Sequence, residues 1–449
     1  MFNKKMVGRI ASLLLVLAFA LSACAPTPTT VPGASPTPIA EEPTSVATEA
    51  TEATEVTQQP EPVTLTYYTF SAAPDHLQDL DEMIKIFEEQ HQGIQIKVET
   101  AAFADYFTKL QTLVAGGTTP DVFELNYENF VTYAAKDLLL DLNPLIKADT
   151  TFDSSIFYPR ALEAFKYQDM QLGLPASFSD VVLFYNKDLF DQAGVSYPSA
   201  DWTWDDAIEA ATKLTDPEKG VWGLYSPIQF WEFYKKATQN NCSFFNEERT
   251  EVTINSPECV QALQTMVDIV NKYKVMPTDA EMGGVSDADL FKQGKLAMFV
   301  SGIWMFTTFQ DAPFQWDIQI EPGMATKAVH FFANGVSVSA TTNHPQEAWE
   351  WAKFFTSSPE VAKIRVKSNW ELPALNNPDY FSEYLMQRPP ENRQVVFDSL
   401  EYAVVPPVIE KQNEMTDIVN SLLEQVKLGQ ITPQEALDQA KVQIEALIK

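Results

Sequence analysis

Histidine and cysteine are scarce in this chain, with four of the first and three of the second. The four His residues, His76, His91, His330 and His344, are scattered, and none has a neighbour at metal-ligand spacing. There is no nucleophile elbow, phosphate loop, dinucleotide fingerprint or HExxH. The sequence therefore calls for no cofactor and no metal. Basic residues are also few, 31 Lys and Arg against 61 Asp and Glu, for a formal net charge of −30. Such a surface repels phosphate backbones and anionic headgroups, which excludes nucleic acid as a partner. Long apolar runs are missing too. Ile10–Leu21 has 12 residues, broken only by Ser12, where a bilayer span needs roughly 20.

That run follows the basic stretch holding Lys4, Lys5 and Arg9, the pattern of an export signal. It ends in Leu21-Ser22-Ala23-Cys24, which resembles the lipobox of bacterial lipoproteins. Residues 1–23 are read as a lipoprotein signal peptide, with Cys24 the lipidation site. Residues 24–61 are rich in Pro, Thr, Ala and Glu and nearly devoid of large apolar residues. They cannot bury enough surface to fold, and they read as a disordered, self-repelling tether. Only the lipid then contacts the membrane. The localisation expected is the outer face of a cell membrane, either cell surface or periplasm.

Folded structure begins near Val63. Val63–Thr69 is a β-branched and aromatic strand signature, and Pro74–Gln90 carries apolar residues at helical spacing. Ile94–Val98 predicts a second strand, Phe103–Val114 a helix stopped by Gly116-Gly117, and Pro120–Leu125 a third strand. This rhythm predicts an α/β fold with a mostly parallel sheet under helices. Further along, Val181–Tyr185 reads as a buried strand. Thr203, Ser256-Pro257, Ser358-Pro359 and Thr432-Pro433-Gln434-Glu435 are helix starts. Cys242 and Cys259 are the thiols left after Cys24. In an exported chain an even pair suggests a disulfide, and two buried free thiols are the alternative.

Five stretches resemble the family 1 extracellular solute-binding proteins of ABC importers, the group containing maltose-binding protein. They are Gly116–Phe123 (GGTTPDVF), Leu174–Ala176 with Val182–Lys187 (VLFYNK), Trp202–Asp206 (WTWDD), Phe291–Met298 through Gly302-Ile303-Trp304, and Ala348–Phe355 (AWEWAKFF). Together they cover the chain from about Val63 to its end. The resemblance implies a periplasmic-binding-protein-like type II fold: two α/β lobes with multiple crossovers and a ligand cleft between them. Lobe one is placed at residues 62–176 plus 320–368, and lobe two at 177–319 plus 369–449.

It also implies which residues meet ligand. Trp304 falls on a sugar-stacking Trp, with small Ser301 and Gly302 leaving room beside the backbone. Tyr127, Glu128 and Asn129 fall near polar sugar ligands. Ser179 and Asp180 fall at a crossing strand where the family often places an acid; the aligned residue is Ser179. Phe230 and Trp231 fall near an aromatic of lobe two. Asn334 and Gly335 fall where the returning strand can offer backbone groups, and Ser71 and Asp75 in the first strand–helix loop. Near Glu414 and Met415, a second stacking position lacks its aromatic, which argues against a maltodextrin-type ligand.

The function implied is capture of a neutral mono- or oligosaccharide by a monomeric, non-enzymatic component that delivers it to ABC permease subunits. Two other readings stay open. One is a non-sugar solute such as a polyol phosphate. The other is a secreted carbohydrate-active enzyme, since abundant carboxylates leave a glycosidase-type pair available.

Overall fold

The computed structural model describes residues 62–449, apart from residues 72–73, 248 and 369–370. Cys24, the signal peptide and the tether lie outside the described residues. The first strand, β1 (Val63–Thr69), and β2 (Ile94–Thr100) pair in parallel from Val63↔Ile94 to Thr69↔Thr100. Parallel pairing requires a crossover, supplied by helix α1 (Pro74–Gln90). Helix α2 (Phe103–Ala115) returns the chain to β3 (Val122–Asn126), also parallel to β1. The Gly117 φ of +70° makes the turn after α2. Asp121 then fastens it, accepting from the Thr66 N–H (2.9 Å) and the hydroxyls of Thr66 and Thr342 (2.8 and 2.7 Å). The Pro-Asp pair before β3 is thus a structural clip. Helix α3 (Tyr127–Ala134) starts at once, capped by the Asn126 side chain.

A short hairpin, β4 (Lys166–Tyr167) with β5 (Met170–Gln171), leads into β6 (Leu174–Asn186). All 13 residues of β6 are buried, because the strand serves two lobes in succession. Its first half, Leu174–Asp180, pairs antiparallel with β9 (Val329–Val338), and β10 (Leu372–Pro373) flanks it. Its second half, Val181–Asn186, pairs with β7 (Met298–Gly302) and β8 (Trp316–Gln319). β9 pairs with β3 on its other side, and its first two residues meet β11 (Ala403–Val404). The first sheet therefore runs β10-β6-β9-β3-β1-β2.

One apolar core joins β1, α1 and the helix Pro345–Ser357 through Tyr67, Phe87, Trp349 and Trp351. A second fills the other lobe, around Trp204, Phe233, Leu263, Met415 and Leu437. A third follows β6 and β9 from one lobe into the other. The capping box expected at Thr432 is present, the helix expected to open at Thr203 starts with a capping box to Asp206, and Trp204 is buried as a helix-start aromatic. β6 starts seven residues before the expected strand: Pro175 and four small or polar residues mask a segment buried on both faces. Among the described residues no helix is long and apolar enough to cross a membrane.

Candidate functional site

The crossing strands carry a polar and aromatic face. Side chains alternate along a strand, so His330, Phe332 and Asn334 of β9 share one side. Ser177 and Ser179 of β6 lie opposite Asn334 and Phe332 on that side. The His330 and Phe332 rings stack at 3.6 Å between centroids. Trp304, in the turn after β7, meets Phe332 edge-on at 5.2 Å and is 40% exposed. Trp231, in the helix Phe230–Gln239, meets His330 at 5.5 Å and Phe332 at 6.2 Å. Four rings from three elements thus form one row: Trp304, Phe332, His330, Trp231.

The polar groups beside this row are poorly satisfied. Glu128 is buried at the start of α3, and neither carboxylate oxygen has a hydrogen-bond partner among the described residues. Burial pushes its carboxyl up to about 7. Its Oε1 lies 3.7 Å from His330 Nε2, which is also unpartnered. His330 Nδ1 pairs with the Tyr234 hydroxyl at 2.7 Å. Burial, aided by the charge of Lys235, holds this imidazole well below its usual pKa, hence neutral. At the far end of the face, the Asn334 amide donates to Glu371 at 2.8 Å and the Ser177 hydroxyl donates to the same carboxylate. Burial pushes Glu371 to about 7 despite nearby Arg365. An amphipathic solute with many hydroxyls suits such a face: its C–H surfaces lie on rings, and its hydroxyls satisfy buried acceptors.

The structure brings together Trp304, Trp231, Glu128 and Ser179 and separates other expected residues from them. Asp180 faces the opposite side of the sheet, paired with Phe331, one residue out of phase with Ser179. It is fully buried, accepts from the Ser399 hydroxyl and is pushed up to about 7 by burial. Its carbonyl accepts from Ile303 N–H at 3.1 Å, so it holds the turn that presents Trp304. Phe230 is fully buried against Tyr234 and Phe244, with no face left for a ligand. Gly335 has backbone pairing on both sides, and a Cβ there would come 2.6 Å from the Phe165 ring. Its missing side chain makes room for Phe165, and the backbone of Asn334 and Gly335 is spent on the sheet. Asn129 is turned onto the cap of α3, its backbone N–H and its carboxamide both donating to Asn126 Oδ1, at 3.3 and 2.8 Å.

Ser71 lies elsewhere, beside a small void with Thr69, Leu80 and Arg365, and the side chain of Asp75 is outside the described residues. The room expected beside Gly302 is occupied by Trp304 itself. A Cβ on Gly302 would sit 1.8 Å from that ring. The glycine seats the indole, and the exposed surface is the other side of the ring. Tyr127, half-buried, has the Arg249 guanidinium beside its hydroxyl.

Sequence reasoning missed His330, Phe332, Tyr234, Glu371 and Arg249. The i, i+2 spacing of His330, Phe332 and Asn334 was the available signal for the first two. Cys242 and Cys259 are disulfide-bonded, with Cα atoms 5.2 Å apart, tying the loop after helix Phe230–Gln239 to helix Pro257–Asn271. Among the described residues no group of His, Cys, Asp and Glu could hold a metal ion.

Residues 73–362 match the model of the bacterial extracellular solute-binding proteins. An ABC substrate-binding protein of Listeria monocytogenes, solved in complex with cycloalternan, is 49% identical. The match covers 86% of this chain and 99% of that one, with a TM-score of 0.82. The cyclic alpha-maltosyl-1,6-maltose binding protein of Arthrobacter globiformis shares the fold at TM-score 0.72 and 22% identity, covering 86% of this chain and 99% of that chain. A galactooligosaccharide-binding protein of Bacillus subtilis is 24% identical, over 82% of this chain and 86% of its own length. The fold is the two-lobe type II fold of binding proteins, with β6 and β9 crossing between lobes. The chain belongs to the bacterial extracellular solute-binding protein family.

Proposed function

We propose that this protein captures a neutral oligosaccharide between its lobes and delivers it to the permease of an ABC importer. The observation that carries the reading is the row Trp304–Phe332–His330–Trp231 beside the unpartnered carboxylate of Glu128. Rings without polar partners would serve any apolar solute, and a lone carboxylate would serve a cation. The combination suits a sugar. That relatives are named for oligosaccharides, or solved with one, supports the same reading.

In this reading lobe one is residues 62–176 plus 320–368, and lobe two is 177–319 plus 369–449. Trp304, Trp231, Phe332, His330, Glu128, Ser179 and Tyr127 meet ligand, and hinge closure traps it. Cys24 carries lipid, residues 24–61 hold the protein off the outer face of the membrane, and it works as a monomer without catalysis.

The test is intrinsic tryptophan emission during titration with mono- and oligosaccharides. Trp231 and Trp304 flank the site, so the right sugar shifts emission saturably. A full panel without any shift or heat would refute the reading.

A further inference from the structure

Acids outnumber bases 61 to 31 in this chain, yet one cavity reverses the balance. It has a volume of about 330 Å³ and lies among the helix Met305–Phe309, the end of the helix Pro359–Ser368 and residues 387–393. Lys367, Arg388 and Arg393 line it together with Thr307 and Gln310, and among the described residues no acid does. None of its lining residues belongs to the aromatic row. An adjoining cavity shares Gln310 and Arg388 with it, but there Lys187 is met by Glu391 at 3.5 Å.

The three cations are held differently. Arg393 is buried, with the rings of Phe306 and Tyr384 at 4.9 and 4.6 Å from its guanidinium carbon. Its Nε and Nη2 donate to the carbonyls of Gln387 and Pro389, both at 3.0 Å, which fixes the chain on either side of Arg388. Arg388 Nη1 donates to the Leu385 and Gln387 carbonyls, both at 2.7 Å. Those bonds steady the guanidinium and leave its Nε–Nη2 edge uncommitted among the described residues. That edge is the fork that grips an oxyanion with two parallel bonds. Lys367 makes no ion pair among the described residues, and the Thr307 hydroxyl and the Gln310 carboxamide have no hydrogen-bond partner among them. Burial, and to a lesser degree the charge of Arg388, lowers the pKa of Arg393, so an anion here would relieve both guanidinium groups.

We propose that this cavity binds the phosphate group of a small soluble solute, gripped by Arg388 and Lys367, with Thr307 and Gln310 donating to its remaining oxygens. Phosphate suits the set because it brings about two negative charges and three strong acceptor oxygens to a fork, an ammonium and two neutral donors. The net charge of −30 keeps extended anionic surfaces away, so the occupant is a small molecule entering a local basic pocket rather than a membrane. The site does not rest on the carbohydrate reading; its occupant is a second ligand that ties the helix Pro359–Ser368 to the helix Met305–Phe309.

The test is isothermal titration of inorganic phosphate and of glycerol 3-phosphate into the mature protein and its Arg388→Gln, Lys367→Ala and Lys187→Gln variants, at constant ionic strength. Arg388 and Lys367 are exposed, and melting curves check that each variant folds; should Arg388→Gln not fold, Lys367→Ala decides. The wild type should bind one of the two phosphates with a dissociation constant of about 1 mM or tighter. Arg388→Gln should weaken this about tenfold or more, and Lys367→Ala at least about threefold. Lys187→Gln removes the same unit charge beside Glu391 and should change it less than about twofold. No saturable heat from either phosphate, unchanged affinity in the folded Arg388 and Lys367 variants, or equal loss in all three would overturn the site. Retention on phosphatidylglycerol vesicles that Arg388→Gln abolishes would also overturn it, since the occupant would then be a lipid headgroup.

Discussion

Glu128 Oε1 and His330 Nε2 face each other at 3.7 Å, both buried and both without a hydrogen-bond partner among the described residues. An unmet buried polar group costs about 1–3 kcal/mol, and two side by side are a cost that ligand hydroxyls can relieve. α3 supplies the carboxyl and β9 the imidazole, so one bound hydroxyl between them would draw a helix start and a crossing strand onto the same ligand.

The carboxyls of Glu128, Asp180 and Glu371 all stand near 7 because burial disfavours their charge. An acid whose folded pKa is raised binds more protons folded than unfolded in the intervening window. Its contribution is therefore complete below the ordinary value, 4.5 for the two Glu and 3.8 for Asp180, and lost as pH rises through about 7. Ligand-free protein should lose stability between pH 4.5 and 7, by up to about 3 kcal/mol per group. Glu128→Gln should flatten part of that slope in urea unfolding followed across pH; an unchanged slope would place this carboxyl in water.

Trp304 is exposed on one side and seated on Gly302 on the other. Trp304→Ala should weaken ligand binding roughly ten- to a hundredfold, about 1–3 kcal/mol, with little change in melting of the ligand-free protein. Gly302→Ala should mimic it, since the new methyl displaces the indole. Calorimetry of both variants checks this. A Trp304→Ala protein that melts far earlier yet binds normally would show the ring to be packing only.

The Cys242–Cys259 bond closes a 17-residue separation. Replacing both with Ala should cost about 3 kcal/mol by chain entropy. Thiol titration of the denatured, unreduced protein should find neither of these two cysteines free.

Two lysines and two glutamates, Lys235, Lys236, Glu232 and Glu321, are buried together beside Trp204. Lys235 pairs with Glu232 at 2.9 Å and with Glu321, and Lys236 sits 3.4 Å over the Trp204 ring while also meeting Glu321 at 3.4 Å. Glu321 lies on the chain between β8 and β9, so the cluster fastens a lobe-to-lobe connection. Removing one member strands the others: Lys235→Met should cost about 3–5 kcal/mol in denaturant unfolding. A Lys235→Met, Glu321→Leu pair should cost less than the two single changes summed.

Strands and helices with a clear period were legible in the sequence. β1 and α1 begin and end where the alternation and the helical spacing place them, and Thr203 and Thr432 cap as their motifs predict. β6 was legible only in its Val181–Tyr185 half, because Ser177, Ser179 and Asp180 look like loop until the second lobe buries them. Trp304, Trp231 and Glu128, which the resemblance implies as ligand contacts, lie together beside the crossing strands. Phe230 could not be separated from Trp231, since which of two adjacent helix residues faces the core depends on helix packing. The Asp180 error is one of register: a single step along a strand reverses the face. His330 and Arg249 come into the site through contacts with residues far away in sequence, to which no local pattern points.

The cleft is proposed to bind a neutral oligosaccharide without altering it. Isothermal titration of the mature protein with maltotetraose and cycloalternan, followed by chromatography of the recovered sugar, tests it most directly. Saturable binding to at least one neutral oligosaccharide is expected, with loss of most of that affinity in Trp304→Ala and the sugar returned intact. Cleaved sugar, or tighter binding of a sugar phosphate than of its neutral parent, would contradict it.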